Sequence, residues 1–298
     1  MNRGVLYATA AYVLWGLLPI YWKWLQHIPA FEVLCHRIIW SFFMLGFVVA
    51  VTGRWKRLRR DLFSARVLCT YTVAGVLVAV NWLTYIWAVG AGFILDTSLG
   101  YYINPLLSVL MGIAVLHERL RPVQWAAIAL AAAGVCYLWI AHGSLPWIAL
   151  ILAVSFGLYG LVKKIAPLGS LQGLTVETAV LLLPALAFLA YFGQAGLGVS
   201  LHTGAVTGIL LVGAGLVTVV PMLLFSSAAR RIDLSLLGIM QYIAPTMQFV
   251  LGVFVYHEPF TRERLIGFVI VWTALAVYAA EGYVSRRSRA IPAARKQA

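Results

Sequence analysis

Apolar stretches of about 20 residues follow one another through this 298-residue chain, separated by short polar or proline- and glycine-containing breaks. A helix that crosses the hydrocarbon core of a bilayer needs about 20 mostly apolar residues, because no water is available there to satisfy the backbone. Hydrophobic residues make up 63% of the chain and charged residues only 10%, which is far from the composition of a soluble domain. The sequence therefore predicts an all-α integral membrane protein with ten transmembrane helices. Their approximate limits are residues 4-22, 31-52, 67-89, 93-116, 122-141, 145-163, 172-192, 204-226, 234-256 and 263-282.

Basic side chains are concentrated in alternate segments between these stretches. If the N-terminus is cytoplasmic, eighteen of the 22 lysines and arginines fall on the cytoplasmic side, as the positive-inside rule predicts. The other four are Lys23, Arg37, Arg262 and Arg264. We therefore expect both termini in the cytoplasm, and we attribute the net charge of +13 to loops beside anionic lipid. This distribution favours the lipid bilayer, and not a nucleic acid, as the partner of the basic segments.

One sequence pattern occurs twice, in two halves of the chain. The tetrapeptide YINP ending at Pro105 recurs as YIAP ending at Pro245, and a His-Glu turn at Glu118 recurs at Glu258. Because each half holds five predicted spans, an odd number, the second half must enter the membrane in the opposite orientation. We expect two inverted five-helix repeats, as in many secondary transporters. The first repeat covers residues 1-141, the second covers 142-285, and a basic cytoplasmic tail covers 286-298. Further counterparts are Gly16 with Gly157, Lys23 with Lys164, and Glu32 with Glu177.

The fourth predicted helix of each half carries a polar stripe at helical spacing, which is unusual for a surface in contact with lipid. Each stripe contains a proline, Pro105 or Pro245, that removes a backbone donor. Our working hypothesis is that the stripes line a substrate cavity in which both prolines act as hinges. The alternative is that they form kinked packing faces whose polar residues bond helix to helix. The stripe residues are Ser98, Tyr101, Asn104, Pro105 and Ser108 in the first half, and Gly238, Gln241, Pro245, Gln248 and Gly252 in the second.

Aromatic and amide side chains of the first and third helices complete the candidate cavity. Their ring faces and sparse hydrogen-bonding groups suit an amphipathic or partly aromatic organic solute. The alternatives are an interface anchor for a tryptophan such as Trp15 and an interhelical hydrogen bond for Asn81. The predicted cavity residues are Tyr12, Trp15, Asn81, Tyr85, Tyr101, Asn104, Gln241 and Gln248.

Four ionisable residues inside predicted spans are candidates for binding charge or protons, because burying them in a membrane is costly without a function. They are Glu32, His36, Arg37 and Glu177. One interpretation makes the carboxylates and the histidine sites of proton coupling or of substrate charge recognition. The other pairs Lys23 with Glu32 and Lys164 with Glu177 as structural braces, and the duplication favours this version.

The two His-Glu turns are interpreted as structural. Each predicted link between spans leaves helix ends whose backbone groups need partners, and a carboxylate there also interacts favourably with a helix dipole. We therefore predict that Glu118 and Glu258 are turn and dipole residues. The sequence contains no convergent set of metal ligands, and the three cysteines show no metal-binding spacing, so we expect neither a metal nor another cofactor.

Several short motifs occur in order along the chain: WG at 15-16, NW at 81-82, SLGYYINPL at 98-106, HERL at 117-120, PW at 146-147 and FGLYGL at 156-161. Together they resemble the RarD group of the EamA family, within the drug/metabolite transporter superfamily, over the chain down to about residue 285. The resemblance implies a ten-helix carrier of the bacterial inner membrane, built of two inverted repeats whose first four helices surround the cavity. It implies no substrate, because the group is named for a chloramphenicol-sensitivity phenotype.

Membrane enzymes and pumps that use nucleotides are disfavoured because their sequence motifs do not occur. The sequence contains no phosphate-binding loop for a primary pump and no GxSxG or HExxH motif for a membrane enzyme. We predict a secondary transporter without enzymatic activity that exports small organic metabolites or drugs. The first alternative is a proton-coupled uptake carrier, and a non-transporting membrane enzyme is a distant third. Small residues in the fifth span, Ala127, Ala129, Ala131 and Ala133, suit either packing within the bundle or a homodimer, and the sequence does not choose between them.

Overall fold

The described part of the protein is all-helical in a computed structural model. The structure describes residues 3–53, 55, 64–90, 94–142, 147–195, 204–255 and 261–295, and no strand occurs among them. The helices are α1 (Arg3–Trp24), α2 (Ala30–Val51), α3 (Ala65–Gly90), α4 (Ile94–Leu116), α5 (Pro122–His142), α6 (Trp147–Ile165), α7 (Ser170–Gln194), α8 (Ala205–Ala229), α9 (Leu234–Met240), α10 (Ile243–Val250) and α11 (Arg262–Arg295). A π-helical turn, Leu251–Val255, follows α10.

Seven of the described helices are long and apolar enough to cross a membrane, judged by length and composition. They lie in α1, α2, α3, α5, α6, α7 and α8. Two shorter apolar segments, Gly100–Leu116 in α4 and Leu265–Glu281 in α11, add to them. The chain is therefore a multi-pass membrane protein, and most helix limits lie within a few residues of those predicted from the apolar stretches.

The ninth apolar stretch was predicted as one continuous span, but the structure divides it into separate helices. The chain is broken between α9 and α10 because Pro245 has no amide hydrogen to donate to the Gln241 carbonyl. That carbonyl accepts instead from the Ala244 amide at 3.1 Å, one residue earlier than in an α-helix. By contrast, Pro105 lies within α4, which continues through it as a helix. The two repeated prolines therefore have different effects on the backbone.

Helices of the first half pack largely against helices of the second. α1 contacts α8 and α10, α2 contacts α7 and α8, α3 contacts α6 and α7, α4 contacts α6 and α9, and α5 contacts α11. Glycines allow these close approaches. A Cβ on Gly16 would lie 2.7 Å from the Met247 Cβ, and a Cβ on Gly238 would lie 2.8 Å from the Pro105 carbonyl oxygen. Such contacts matter in a membrane, where helices associate through packing and hydrogen bonds.

Two of the alanines in the fifth predicted span are buried by contacts within the chain. Ala127 and Ala131 are buried in α5, the helix that packs against α11. Ala129 and Ala133 are exposed in the single chain. Packing within the bundle thus accounts for the first two small residues.

Replacing Gly215 should destabilise the interface between α8 and α2. An added Cβ would lie 2.7 Å from the Trp40 carbonyl carbon, which is backbone and cannot move aside. We expect Gly215→Val to lower the free energy of unfolding by about 1 to 3 kcal/mol, measured as the melting temperature of purified protein in detergent. Gly208→Val in the same helix is the matched control, because no atom lies within 4 Å of its added Cβ. Equal melting temperatures for the two variants would contradict this interface.

Candidate functional site

The Arg37 guanidinium lies between aromatic rings from two other helices. Arg37 is the eighth residue of α2, about 10 Å along the helix from its start. Its central carbon lies 4.4 Å from the Trp82 ring centroid on α3 and 4.8 Å from the Trp22 ring centroid on α1. Its Nε donates a hydrogen bond of 3.0 Å to the Thr218 hydroxyl on α8. Side chains from four helices therefore meet at one positive charge, and we name this group the Arg37 cluster.

Two predicted cavity residues border the Arg37 cluster. The rings of Tyr85 on α3 and Tyr101 on α4 meet edge to face, with centroids 5.8 Å apart. A hydrogen bond joins their side chains, and both lie close enough to Arg37 for electrostatic interaction. No carboxylate oxygen of the described residues lies within 4 Å of Arg37. The positive charge is therefore balanced by ring faces and hydroxyl groups, and not by an acidic side chain.

Other predicted cavity residues belong to a separate aromatic cluster. The Trp15 ring lies 5.6 Å from Phe156 and 5.4 Å from Phe225, and the Tyr12 ring lies 5.7 Å from Trp15. Tyr12 is fully buried, and its hydroxyl donates to the Leu237 carbonyl at 3.0 Å. Trp15 is half-buried and packs against rings from three helices, which supports a role in packing over that of an interface anchor.

The predicted amides have different surroundings. Asn81 donates to the Leu152 carbonyl at 2.8 Å and to the Ser155 hydroxyl at 3.0 Å, so it makes the interhelical hydrogen bonds that we considered as an alternative. Gln248 donates to the Trp15 carbonyl at 3.2 Å. Gln241 is buried at the break before α10.

Asn104 is buried in α4 beside Gly157 of α6. Its carbonyl oxygen Oδ1 has no hydrogen-bond partner among the described residues. An unmet acceptor at such a depth is costly unless a ligand or water satisfies it. Asn104 therefore fits the cavity interpretation better than Asn81 does.

The buried carboxylate of Glu177 forms an ion pair, but not with the lysine that we predicted. Lys163 Nζ lies 2.7 Å from Glu177 Oε1, and the Tyr159 hydroxyl donates to Glu177 Oε2 at 3.0 Å. The prediction of a bond from Lys164 was wrong: its Nζ donates to the Ile232 carbonyl at 2.6 Å. Successive residues of a helix point in directions about 100° apart, so only one of the two lysines can face α7.

Glu32 and His36 lie together on α2. Glu32 is buried in the first turn, and His36 is close enough to interact with it electrostatically. His36 Nε2 has no hydrogen-bond partner in the described part of the chain. The two side chains therefore form a small polar site near the start of α2, distinct from the ion pair of Lys163.

Glu118 caps a helix that is distant in sequence. Its carboxylate accepts hydrogen bonds from the backbone amides of Leu234 at 2.6 Å and Ser235 at 2.9 Å, and from the Ser235 hydroxyl at 2.5 Å. A carboxylate at this position satisfies unpaired amides and interacts favourably with the dipole of α9. Glu118 therefore interacts with a helix dipole, as predicted. The helix is α9, which is distant in sequence, and not one next to its own turn. Its counterpart Glu258 lies outside the described residues.

Sequence reasoning missed several contributors to these groups. Thr218, Phe156 and Phe225 come from helices of the other half, and no local pattern connects them to α1 or α2. The available signals were Thr218, a hydroxyl in the middle of a largely apolar span, and Phe156, the first residue of the FGLYGL motif. Within the described residues, no group of three or more metal-ligating side chains occurs.

Comparison with known proteins places the chain among transporters. The sequence model of the EamA-like transporter family matches it twice, at residues 2–140 and 145–280. The chain is 44% identical to the uncharacterized transporter YojE of Bacillus subtilis over 93% of both chains. It is 40% identical to the protein RarD of Escherichia coli K12, over 96% of this chain and 97% of the relative. One solved structure is 19% identical to this chain and superposes on it with a TM-score of 0.70. The superposition covers 93% of this chain and 97% of the chain of that structure, which shows a shared fold.

Removing the Glu118 cap should destabilise the protein. We expect Glu118→Ala to lower the free energy of unfolding by about 1 to 2 kcal/mol, because two backbone amides of α9 lose their acceptor. Glu118→Gln should lower it less, since the amide oxygen still accepts. Thermal unfolding in detergent provides the measurement, with Glu263→Ala at an exposed helix start as control. A loss of stability in the control as large as in Glu118→Ala would argue against the cap.

The Lys163–Glu177 pair can be tested as a structural brace by a double-mutant cycle. Glu177→Gln leaves the buried Lys163 charge uncompensated, so we expect a loss of about 3 to 5 kcal/mol in the free energy of unfolding. Adding Lys163→Met should restore much of that loss. Lys164→Met is the control for removing a cation. If the double variant is as unstable as Glu177→Gln alone, the pair is not the source of the stability.

Proposed function

Because the chain belongs to the EamA-like transporter family, we propose that it is a secondary transporter that exports small organic metabolites or drugs by alternating access. The observation that carries this proposal is the duplicated family match, which spans nearly the whole chain. Its relatives are named as transporters, which supports transport over enzymatic activity. Membership of the family implies a small-molecule substrate and a lipid bilayer around the protein. The bacterial inner membrane is the location that fits best, since several relatives are bacterial RarD proteins.

The proposal includes ten transmembrane helices in two inverted repeats, at residues 1-141 and 142-285, with both termini and the tail at 286-298 in the cytoplasm. Contacts between counterpart residues support it. Tyr102 and Tyr242 occupy matching positions, their rings lie 6.0 Å apart, and the Tyr242 hydroxyl donates to the Tyr102 carbonyl at 3.0 Å. Trp15 and Phe156 also match, and their rings lie 5.6 Å apart. Residues that contact their own counterparts are expected along a pseudo-twofold axis.

Alternating access then consists of rocking of the halves about these contacts. α4 and α9 are the helices that we propose to move, with Pro105 and Pro245 as hinges. The interrupted backbone before Pro245 supports this role, because fewer helical hydrogen bonds resist bending there. Tyr85, Tyr101 and Asn104 are the proposed cavity residues with the best support, while Tyr12, Trp15, Gln241 and Gln248 connect the aromatic cluster to the hinge segment. A homodimer, formed through the exposed alanines of α5, stays a proposal.

The second candidate is a proton-coupled uptake carrier. The buried Glu32 beside His36 favours it, because a carboxylate and an imidazole inside a span can exchange protons during the cycle. The two candidates differ in the direction of transport and in the response to a pH gradient. The ion pair of Glu177 is better explained as a brace.

The function is tested by comparing intracellular and secreted metabolites of cells that lack the gene with those of complemented cells. An exporter should cause its substrates to accumulate inside the cells without the gene and to be depleted in the medium. The leading solutes are then measured in proteoliposomes under imposed pH gradients of both signs. Metabolite profiles that are unchanged on both sides would contradict export, whereas movement driven inward by an acidic exterior would favour the uptake carrier.

The hinges are tested in the same assay. We expect Pro105→Ala and Pro245→Ala to lower the transport rate about tenfold, which corresponds to about 1.4 kcal/mol in the barrier of the conformational step. Pro184→Ala is the matched control, because this proline lies exposed in α7. Rates equal to wild type in both hinge variants would remove the hinges from the mechanism.

A further inference from the structure

The Arg37 cluster has the properties of an anion-binding site. A guanidinium carries five N–H donors. One of them, on Nε, is bonded to Thr218, and neither Nη1 nor Nη2 donates a hydrogen bond to any described residue. Four donors, two on each Nη, are therefore unused by the described residues, and one from each Nη lies on the same edge of the guanidinium. They belong to a helix that is apolar enough to cross a membrane. A charge in this position needs either a partner or a function.

The neighbouring residues hold the guanidinium in one orientation. The rings of Trp22 and Trp82 lie 4.8 Å and 4.4 Å from its central carbon, and Thr218 fixes the Nε side. Two parallel N–H groups in a fixed plane match the two oxygens of a carboxylate. Because the aromatic rings and the hydroxyl are uncharged, they leave the positive charge available to a ligand.

We propose that Arg37 binds the carboxylate of a monovalent organic anion, and that the transported substrates are therefore carboxylates with an apolar or aromatic body. This inference rests on the proposed transport function. The Tyr85 and Tyr101 rings next to the cluster provide the surface for the body of the ligand. A single cation balances a single negative charge, so a monoanion leaves the occupied site neutral. Each cycle would export one negative charge, so an inside-negative membrane potential favours outward movement of the substrate without a coupling ion.

The charged groups in the last turn of α6, on α7 and in the first turn of α2 do not offer the same chemistry. Glu177 neutralises Lys163 at 2.7 Å, and the Lys164 ammonium is bonded to a backbone carbonyl. Glu32 is acidic and would repel an anion. Arg37 is thus the group that selects the charge of the ligand.

Binding is tested with the purified full-length chain in detergent, by the rise in melting temperature with ligand concentration. The probes are benzoate, phenylacetate and indole-3-acetate, and each is compared with its neutral amide. Phenyl phosphate, a dianion with an aryl group, tests whether the site prefers a single negative charge. We expect the carboxylates to stabilise the wild type and to bind about tenfold or more tightly than their amides, because charged hydrogen bonds are lost in the amides. No stabilisation by any carboxylate at millimolar concentration, or a preference for the amides or the phosphate, would overturn the proposal.

Arg37 variants identify the residue responsible. Arg37→Met should abolish the preference for carboxylates over amides, and Arg37→Lys should retain part of it, because it keeps the charge but not the paired donors. Arg262→Met, an exposed arginine at the start of α11, should behave as wild type. Thr218→Val serves as a second variant if Arg37→Met does not fold, and should weaken carboxylate binding while the amides are unaffected. Carboxylate binding by Arg37→Met equal to wild type would refute the assignment.

The two proposals can fail separately. Proteoliposomes containing the wild type are assayed for flux of the carboxylate that binds best. Binding that depends on Arg37 without any flux would contradict the transport function but keep the site. Flux of neutral solutes that is unaffected by Arg37→Met would keep the transport function and refute the site.

Discussion

Close packing joined to hydrogen bonds holds the two halves together, and both occur where α4 passes over α9. Gly238 lies against the Pro105 carbonyl, and the neighbouring Glu118 carboxylate holds the first amides of α9. In a bilayer, lipid tails are as apolar as the helix surfaces, so association depends on close packing and on hydrogen bonds such as these. Because α9 is only seven residues long, it has few internal hydrogen bonds, and its position is fixed mainly by partners from the first half.

The two halves share a pattern but differ in chemistry. Glu177 has a buried lysine partner on α6, whereas α2 carries Arg37 five residues after Glu32, at a position matched by Leu182 in α7. Duplicated sequences share a pattern of helices, and substitutions within them leave one half with a buried ion pair and the other with an arginine at the matched position. The Arg37 cation close to the Tyr85–Tyr101 pair is therefore a feature of the first half that α7 does not repeat.

The length of the apolar stretches predicted the helices, because each span must satisfy its own backbone in lipid. It did not predict the break before α10, since Pro105 and Pro245 look alike in sequence and only the second interrupts its helix. The site was predictable in part. The residues Arg37, Tyr85 and Tyr101 stand out as polar groups in spans, but Thr218 is 181 positions from Arg37, and no local rule connects them. The choice of Lys163 over Lys164 depends on how α6 is rotated toward α7, which the sequence pattern alone does not specify.

The interleaving of the helices has a consequence for the order in which the chain folds. α1 packs on α8 and α10, and α2 packs on α7 and α8, so the first two helices make their main contacts with segments that begin about 140 or more residues later. During synthesis, the first half therefore enters the membrane before these partner helices exist, and its glycine faces are not yet packed against them. Packing between the halves can begin once α6 has been made, but α1 gains its main partners only with α8 and α10.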